Sequence, residues 1–194
     1  MELFGDLFIF GDDMKKLFLL CLILVACSAF GNKRVTYVPT TYDYNDEVKC
    51  LAQNIYFEAR DQKTKGQIAV ALVTLNRVNS KRFPNSVCKV VYQANRYKNG
   101  KLKKYKCQFS WYCDGLSDRP RDRLAWKISL LIARAMLLKP GAHIKHYGEE
   151  WQMEDFLHGA THYHRKDVNP YWNKRMIKAM IIGDHIFWKD YVNE

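Results

Sequence analysis

Past residue 31 the 194-residue chain has no apolar run near the roughly 20 residues that cross a membrane as a helix. Glycine is limited to ten residues and cysteine to six, and no heptad of apolar residues is sustained. These shortages exclude collagen-like, disulfide-miniprotein and coiled-coil architectures. Acids are scarce as well, with 20 Asp and Glu against 31 Lys and Arg, a formal charge of +11. Histidine is missing until residue 143, so all six lie in the last 52 residues.

The apolar residues present, 48% of the chain with 14% aromatic, are too many for a disordered polymer. The length suits one domain with its own core. Residues 1–31 carry four acids and only two lysines, so the remainder is more basic still. Such charge points to anionic polymers: cell wall, lipopolysaccharide or nucleic acid, among which charge does not choose.

Lys15 and Lys16 precede an uncharged run, Leu17 to Ala26, followed by small residues Ser28, Ala29 and Gly31. A basic start, an apolar run of about ten residues and a small-residue exit make an export signal. Met14 is a candidate true start, because the four acids before it oppose a signal's usual charge. Leu24-Val25-Ala26-Cys27 resembles a bacterial lipobox, which makes Cys27 a lipidation candidate. The alternatives are cleavage after Ala29 or Gly31, or a buried core helix. Residues 1–31 are thus expected to be a signal peptide, 32–44 an extended linker and 45–194 the functional domain, exported to the periplasm, envelope or medium. Cys50, Cys88, Cys107 and Cys113 remain, and in an oxidising compartment they suggest two disulfides with three possible pairings.

Asn45 or Asp46 is positioned to cap a helix whose apolar residues, Val48, Leu51, Ala52, Ile55, Tyr56 and Ala59, repeat at helical spacing. Gly66 opens a second helix to Val78, apolar on nearly every side and so central. Ser86 to Gln93 reads as a short helix. Asn99-Gly100, inside the basic stretch 95–106, predicts a projecting β-ribbon. Asp122 caps a third long helix to about Leu138, with Leu124, Ile128, Leu131, Ile132 and Ala135 expected inside. Ala160 to Arg165 reads as a strand, and Met176–Ile182 with His185–Lys189 as a hairpin about Gly183-Asp184. Helices first and a small antiparallel sheet later imply an α+β domain.

Glu58 falls at the margin of the first helix's apolar stripe and in its last turn. Partial burial and the unsatisfied carbonyls of a helix end both raise a carboxyl pKa. A carboxylic acid still protonated near neutral pH suits glycosidic cleavage, where the leaving oxygen must receive a proton. Geometry alone favours a plainer role for Glu58, pairing with Arg60 or another cation. Asp61, Asp114, Glu149 and Glu154 are candidate second carboxylates, none at an informative spacing. A mechanism in which the sugar's own C6 hydroxyl attacks needs only one acid.

Cys50-Leu-Ala-Gln-Asn-Ile-Tyr-Phe-Glu58-Ala-Arg60, Gly66-Gln-Ile-Ala-Val-Ala71 and Leu75-Asn-Arg-Val78 resemble the SleB-like cell wall hydrolases. Arg82-Phe-Pro84, Val91-Tyr-Gln93, Cys107-Gln-Phe-Ser-Trp111, Gly159-Ala-Thr-His-Tyr-His164, Val168-Asn-Pro-Tyr-Trp172 and Ile182-Gly-Asp-His-Ile-Phe187 continue the match in order. The resemblance implies a single domain, a lysozyme-like helical lobe with a small antiparallel β-subdomain, acting on peptidoglycan as a lytic transglycosylase or muramidase. It implies Glu58 as the catalytic acid, then base, and Gln108, Phe109, Ser110, His162, Tyr163 and Trp172 as substrate contacts. No cofactor, no nucleic-acid partner and a monomer are expected. The chain departs from the family at Asp61, where a Gly often follows Glu-Ala-Arg, and in the basic ribbon 95–106, which looks like an insertion.

Other chemistries compete. His158, His162 and His164 suggest a zinc amidase, although no His-Glu-x-x-His occurs. Cys50 or Cys113 with His162 suggests a peptidase acting on the stem peptide. Lys98, Lys101, Lys103, Lys104 and Lys106, interleaved with Tyr97 and Tyr105, suggest a non-catalytic module that binds anionic wall or outer-membrane polymers.

Overall fold

In the computed structural model the described residues are 41–138, 143–146 and 149–191. The chain divides into units 1–35 and 36–194. The first unit, with the expected signal and Cys27, lies outside the described residues.

Helix α1 (Thr41–Ala59) starts four residues before the expected cap at Asn45. Its stripe is as read: Leu51, Ala52, Ile55 and Ala59 have no exposed surface, and Val48 and Tyr56 very little. Helix α2 (Thr64–Val78) begins two residues ahead of Gly66 and is buried almost all round, the property its sequence requires of a central helix. Helix α3 (Val87–Val91) is capped by Ser86, whose hydroxyl accepts from Lys89 N. The buried carboxylate of Glu47 accepts from Val87 N at 2.5 Å as well, tying this short helix to α1.

Strands β1 (Ala94–Arg96) and β2 (Leu102–Cys107) form the basic ribbon. Its tip turns at Gly100, where φ is +81°, a conformation glycine adopts without strain. A 3₁₀ turn, Ser110–Cys113, leads to helix α4 (Arg123–Leu138). Asp122 caps α4 as expected, its Oδ1 accepting from Leu124 N and Ala125 N at 2.9 and 3.0 Å. The buried face of α4 is only partly the one expected: Ile132 is inside and Ile128 and Ala135 pack partly buried on the core, but Leu124 and Leu131 do not. Ser129, Ile132, Ala133 and Met136 point inward, whereas Leu124 and Leu131 are 62% and 46% exposed.

Strands β3 (His143–His146) and β4 (Glu149–Gln152) pair as a hairpin that no periodicity announced. The C-terminal sheet has the order β5-β7-β6 and is antiparallel throughout: β5 (His162–Arg165), β6 (Ile177–Ile182) and β7 (His185–Lys189). Strand β5 starts two residues later than Ala160. The β6–β7 turn is at Gly183-Asp184 as read, with Gly183 at a φ of +54°. The result is a mixed helical and antiparallel architecture, the α+β class expected.

One core joins these parts. Leu51, Ile55, Ile68 and Val73 of α1 and α2 meet Ile132 of α4, Leu157 of the loop before β5 and Phe187 of β7, all essentially without exposed surface. Side chains of this size each contribute about 1.5–3 kcal/mol when buried. Two disulfides resolve the pairing: Cys50–Cys88, 38 residues apart, ties α1 to α3, and Cys107–Cys113, six apart, closes the loop after the ribbon.

Loop-closure entropy ranks the two bridges. Replacing Cys50 and Cys88 by Ser is expected to cost about 4 kcal/mol, and replacing Cys107 and Cys113 about 2 kcal/mol, by urea unfolding. The reverse order would show that the ribbon's loop, not the helical core, depends more on its clamp.

Candidate active site

A cleft of about 590 Å³ runs between the end of α1, the 3₁₀ turn with the loop after it, and the sheet. Glu58 reaches it because α1 ends at Ala59, which places the carboxyl in the last helical turn. Phe57 stacks on Trp111 with ring centroids 4.8 Å apart, and both line the cleft beside Glu58. Trp111 is fixed from behind by a satisfied polar chain. Its Nε1 donates to Asn54 Oδ1 at 3.1 Å, and Asn54 Nδ2 donates to Thr74 Oγ1 at 3.0 Å. Asn54 and Thr74 are fully buried, where an unpaired amide or hydroxyl would be costly.

Tyr163 of β5 donates from its hydroxyl to Glu58 Oε2 at 2.9 Å. The tyrosine is held by Phe187 and by the edge of His185, with centroids 5.5 and 5.3 Å away. Loss of water around Glu58 pushes its pKa up, opposed by the Tyr163 hydrogen bond and by the positive charge of Arg77. Removal from water is the largest of the three effects, so the acid form is favoured. Burial drives the Tyr163 phenol well above its usual pKa, so it stays a donor.

Arg77, which the sequence reading did not single out, is 4% exposed. Its Nε donates to Thr161 O at 2.7 Å. With the Gln108 amide oxygen turned toward it, Nη1 and Nη2 donate at 3.2 and 3.3 Å. The guanidinium lies over the rings of Phe109 and Phe83, 5.0 and 5.4 Å from their centroids. Burial brings its pKa down to about 10, so it remains a cation. Because its donors go to Thr161 and Gln108, Arg77 acts on Glu58 through space and closes no ion pair with it. The legible signal was a cation in the last turn of a helix that is apolar on nearly every side.

Opposite, Asp114 and Asp118 line the cleft. Gln53 Nε2 donates to Asp118 O at 3.2 Å, and Tyr92 donates its hydroxyl to Gln53 Oε1. Partial desolvation and then the Asp114 charge raise the Asp118 pKa. Gln62 grips the sheet end, donating to Asp184 Oδ2 at 3.0 Å and accepting from Asp184 N at 3.1 Å.

Of the expected contacts, Glu58, Ser110 and Tyr163 meet in the cleft. Gln108 stands behind it on Arg77, and Phe109 is a core residue, 3% exposed. His162 is not on the cleft lining. Its Nδ1 shares a hydrogen bond of 2.9 Å with Thr161 Oγ1, and its ring packs on Phe83 and Trp172. Trp172 lies behind His164, which does line the cleft, with centroids 5.6 Å apart. His162 and His164 share one face of β5, and of the two only His164, farther along the strand, reaches the cleft. Among the described residues no group of three or more His, Cys, Asp and Glu converges as a metal site. Cys50 and Cys113 are locked in disulfides and carry no thiol, which removes the Cys–His arrangement.

The family model described as Cell Wall Hydrolase matches residues 61–188. The chain belongs to that family. The cell wall hydrolase match begins three residues after Glu58, and longer likenesses extend across the region. The spore cortex-lytic enzyme of Halalkalibacterium halodurans is 44% identical over 158 residues, 80% of this chain and 38% of that protein. The spore cortex-lytic enzyme of Bacillus subtilis is 49% identical over 49 residues, 25% of this chain and 16% of that one. The chain therefore spans well under half the length of these relatives. The crystal structure of the catalytic domain of the Bacillus cereus SleB protein superimposes with a TM-score of 0.53 at 26% identity, over 82% of this chain and all of that one. The cell wall hydrolase fold expected from the sequence is thus the one observed.

Tyr163→Phe removes the hydrogen bond that holds the Glu58 pKa down, so that pKa is expected to rise further. Carboxyl ¹³C NMR titration of Glu58 in the two proteins measures it. An unchanged or lower value in the variant would mean that the hydroxyl does not stabilise the carboxylate.

Proposed function

We propose that this chain cleaves the glycan strand of peptidoglycan, with Glu58 as general acid and then general base, in the manner of a lytic transglycosylase or muramidase. The observation that carries the reading is a desolvated carboxyl at a cleft wall, with a raised pKa and no cation paired to it. The Glu58 proton passes to the glycosidic oxygen as its bond to the anomeric carbon breaks, and the bonding pair leaves with that oxygen. The resulting carboxylate, steadied by the Tyr163 hydroxyl and the Arg77 charge, then takes a proton from the attacking nucleophile. That nucleophile is water in hydrolysis or the sugar's C6 hydroxyl in anhydro-ring formation. Ser110 lies where it can meet a sugar hydroxyl, and Trp111 and Phe57 offer apolar surface to a sugar face. Gln108, Phe109, His162 and Trp172 act one layer back, holding Arg77 and β5. The relatives are named as spore cortex-lytic enzymes, which supports a wall substrate; on this reading residues 1–31 serve as the export signal that delivers the chain to it.

The basic ribbon adds a second contact for the same polymer. Tyr97 and Tyr105 are 57% and 67% exposed, and Lys103 and Lys104 lie over their rings at 5.2 and 4.9 Å. The Cys107–Cys113 bridge fastens the ribbon to the turn that supplies Ser110 and Trp111 to the cleft. Phosphate-bearing wall or outer-membrane polymer suits that surface.

Glu58→Gln keeps shape and removes the transferable proton. It is expected to fold as wild type by circular dichroism and to clear peptidoglycan suspensions about 10²–10⁴-fold more slowly. Mass spectrometry of wild-type digests should show anhydro-muramyl or reducing sugar ends. Freed stem peptides with intact glycan would instead establish an amidase or peptidase. Replacing Lys101, Lys103, Lys104 and Lys106 by Gln should weaken sedimentation with phosphate-rich walls and flatten its salt dependence, sparing turnover of short glycan fragments. Unchanged sedimentation would leave the ribbon without that role.

A further inference from the structure

Helix α4 leaves an outward face that the cleft and the core do not use. Its exposed residues are Arg123, Leu124, Lys127, Leu131, Arg134 and Leu138. At 3.6 residues per turn these six fall within an arc of about 100°, opposite the buried Ser129, Ile132, Ala133 and Met136. Within the arc they sort by chemistry. Arg123, Lys127 and Arg134 occupy one flank, and Leu124, Leu131 and Leu138, spaced seven apart, occupy the other. The leucines are 62%, 46% and 61% exposed, an unusual cost for three large apolar side chains on one stripe.

No acid occurs between Arg123 and Leu138. Asp122, just before the helix, accepts two backbone N–H groups as its cap. The helix is pinned in this orientation from its inner side. Tyr56 of α1 accepts from Arg121 N and Asp122 N at 3.1 and 3.0 Å, and its ring meets Trp126 edge-on. Rotation to hide the leucines would expose Ile132, Ala133 and Met136.

We infer that the outer face of α4 lies flat on an anionic phospholipid surface. A stripe of leucines beside a stripe of cations is what such a surface recognises: apolar side chains enter the headgroup–acyl boundary while guanidinium and ammonium groups meet lipid phosphates. A helix of 16 residues offers about 24 Å of contact. Charge selects this occupant, because a second copy of the same helix would bring cations against cations. Among the described residues no helix is long and apolar enough to cross a membrane, so this contact is peripheral. The inference is independent of the proposed glycan cleavage.

The test uses the full chain with vesicles of phosphatidylcholine and phosphatidylglycerol, or of phosphatidylcholine alone, each containing the same trace of photoactivatable phosphatidylcholine, mapping crosslinked peptides by mass spectrometry. Crosslinks are expected in the α4 peptides with anionic vesicles and at least tenfold fewer with phosphatidylcholine alone. The triple variant Leu124→Ser, Leu131→Ser, Leu138→Ser should lose at least tenfold of the α4 crosslinks while keeping wild-type circular dichroism and peptidoglycan clearance. Crosslinks confined to residues 1–31 or to the ribbon would overturn the inference. So would a wild-type dimer in sedimentation velocity that the triple variant dissolves, since a second copy would then cover the face.

Discussion

The hydrogen bond from Tyr163 to Glu58 is where the helical part and the sheet become one site. Glu58 comes from the last turn of α1 and Tyr163 from β5, 105 residues later, and the 2.9 Å bond between them fixes the carboxyl against the cleft. It also partly offsets the cost of desolvating that carboxyl. Were it the whole environment, Glu58 would be only an acid held in place. Arg77 adds a charge that favours the carboxylate without capturing it, because its donors are committed to Thr161 and Gln108. The group can therefore hold a proton and later manage without one, which a direct Arg–Glu pair would prevent by keeping it ionised throughout.

Much of the fold lies around maintaining that balance. Arg77 needs two flanking rings and two acceptors at once, and Phe83, Phe109, Thr161 and Gln108 come from three separate segments. This accounts for residues in the family-like blocks that never touch the cleft. Phe109 and Gln108 support a cation, as Asn54 and Thr74 support Trp111. Buried polar networks of this kind are stabilising only when every member is satisfied. A truncation in the layer behind would thus disturb the site as surely as one at its surface.

Periodicity made α1 legible, since its buried stripe matches the residues read from spacing alone, and Asn-Gly and Gly-Asp marked both turns of the hairpins that formed there. Helix α4 was read correctly at Ile132 but not at Leu124 and Leu131, because it is apolar on most sides. Leucine outranks serine and alanine as a core candidate in any spacing argument, yet Ser129, whose hydroxyl donates to Ala125 O of its own helix, and Ala133 share the inner face with Ile132 and Met136. The β3–β4 hairpin had only Gly148 as a turn signal and no apolar alternation to reveal it. For the site, Glu58 could be placed at a helix end by geometry, but its tyrosine partner could not. A hydrogen bond spanning 105 residues leaves no local pattern, and only the resemblance put Tyr163 on the candidate list.

Charge is divided between the cleft and the outside. Among the described residues, Glu58, Asp61, Asp114, Asp118 and Asp184 line the cleft with only Arg60 and Arg165 as Lys or Arg beside them, in a chain whose formal charge is +11. A glycosidic bond that breaks on the proposed route leaves positive charge on the anomeric carbon, and fixed carboxylates around that carbon stabilise it more than they stabilise the neutral sugar. On the same proposal the cationic exterior would do the opposite work at longer range, drawing anionic polymer toward the molecule. Had the acids been spread evenly over the surface, both effects would weaken together. Five of the 20 acids thus meet at one concave site, where on the proposed route they would favour a positive intermediate, and their positions are set by Gln62, Gln53 and the turn after Cys113.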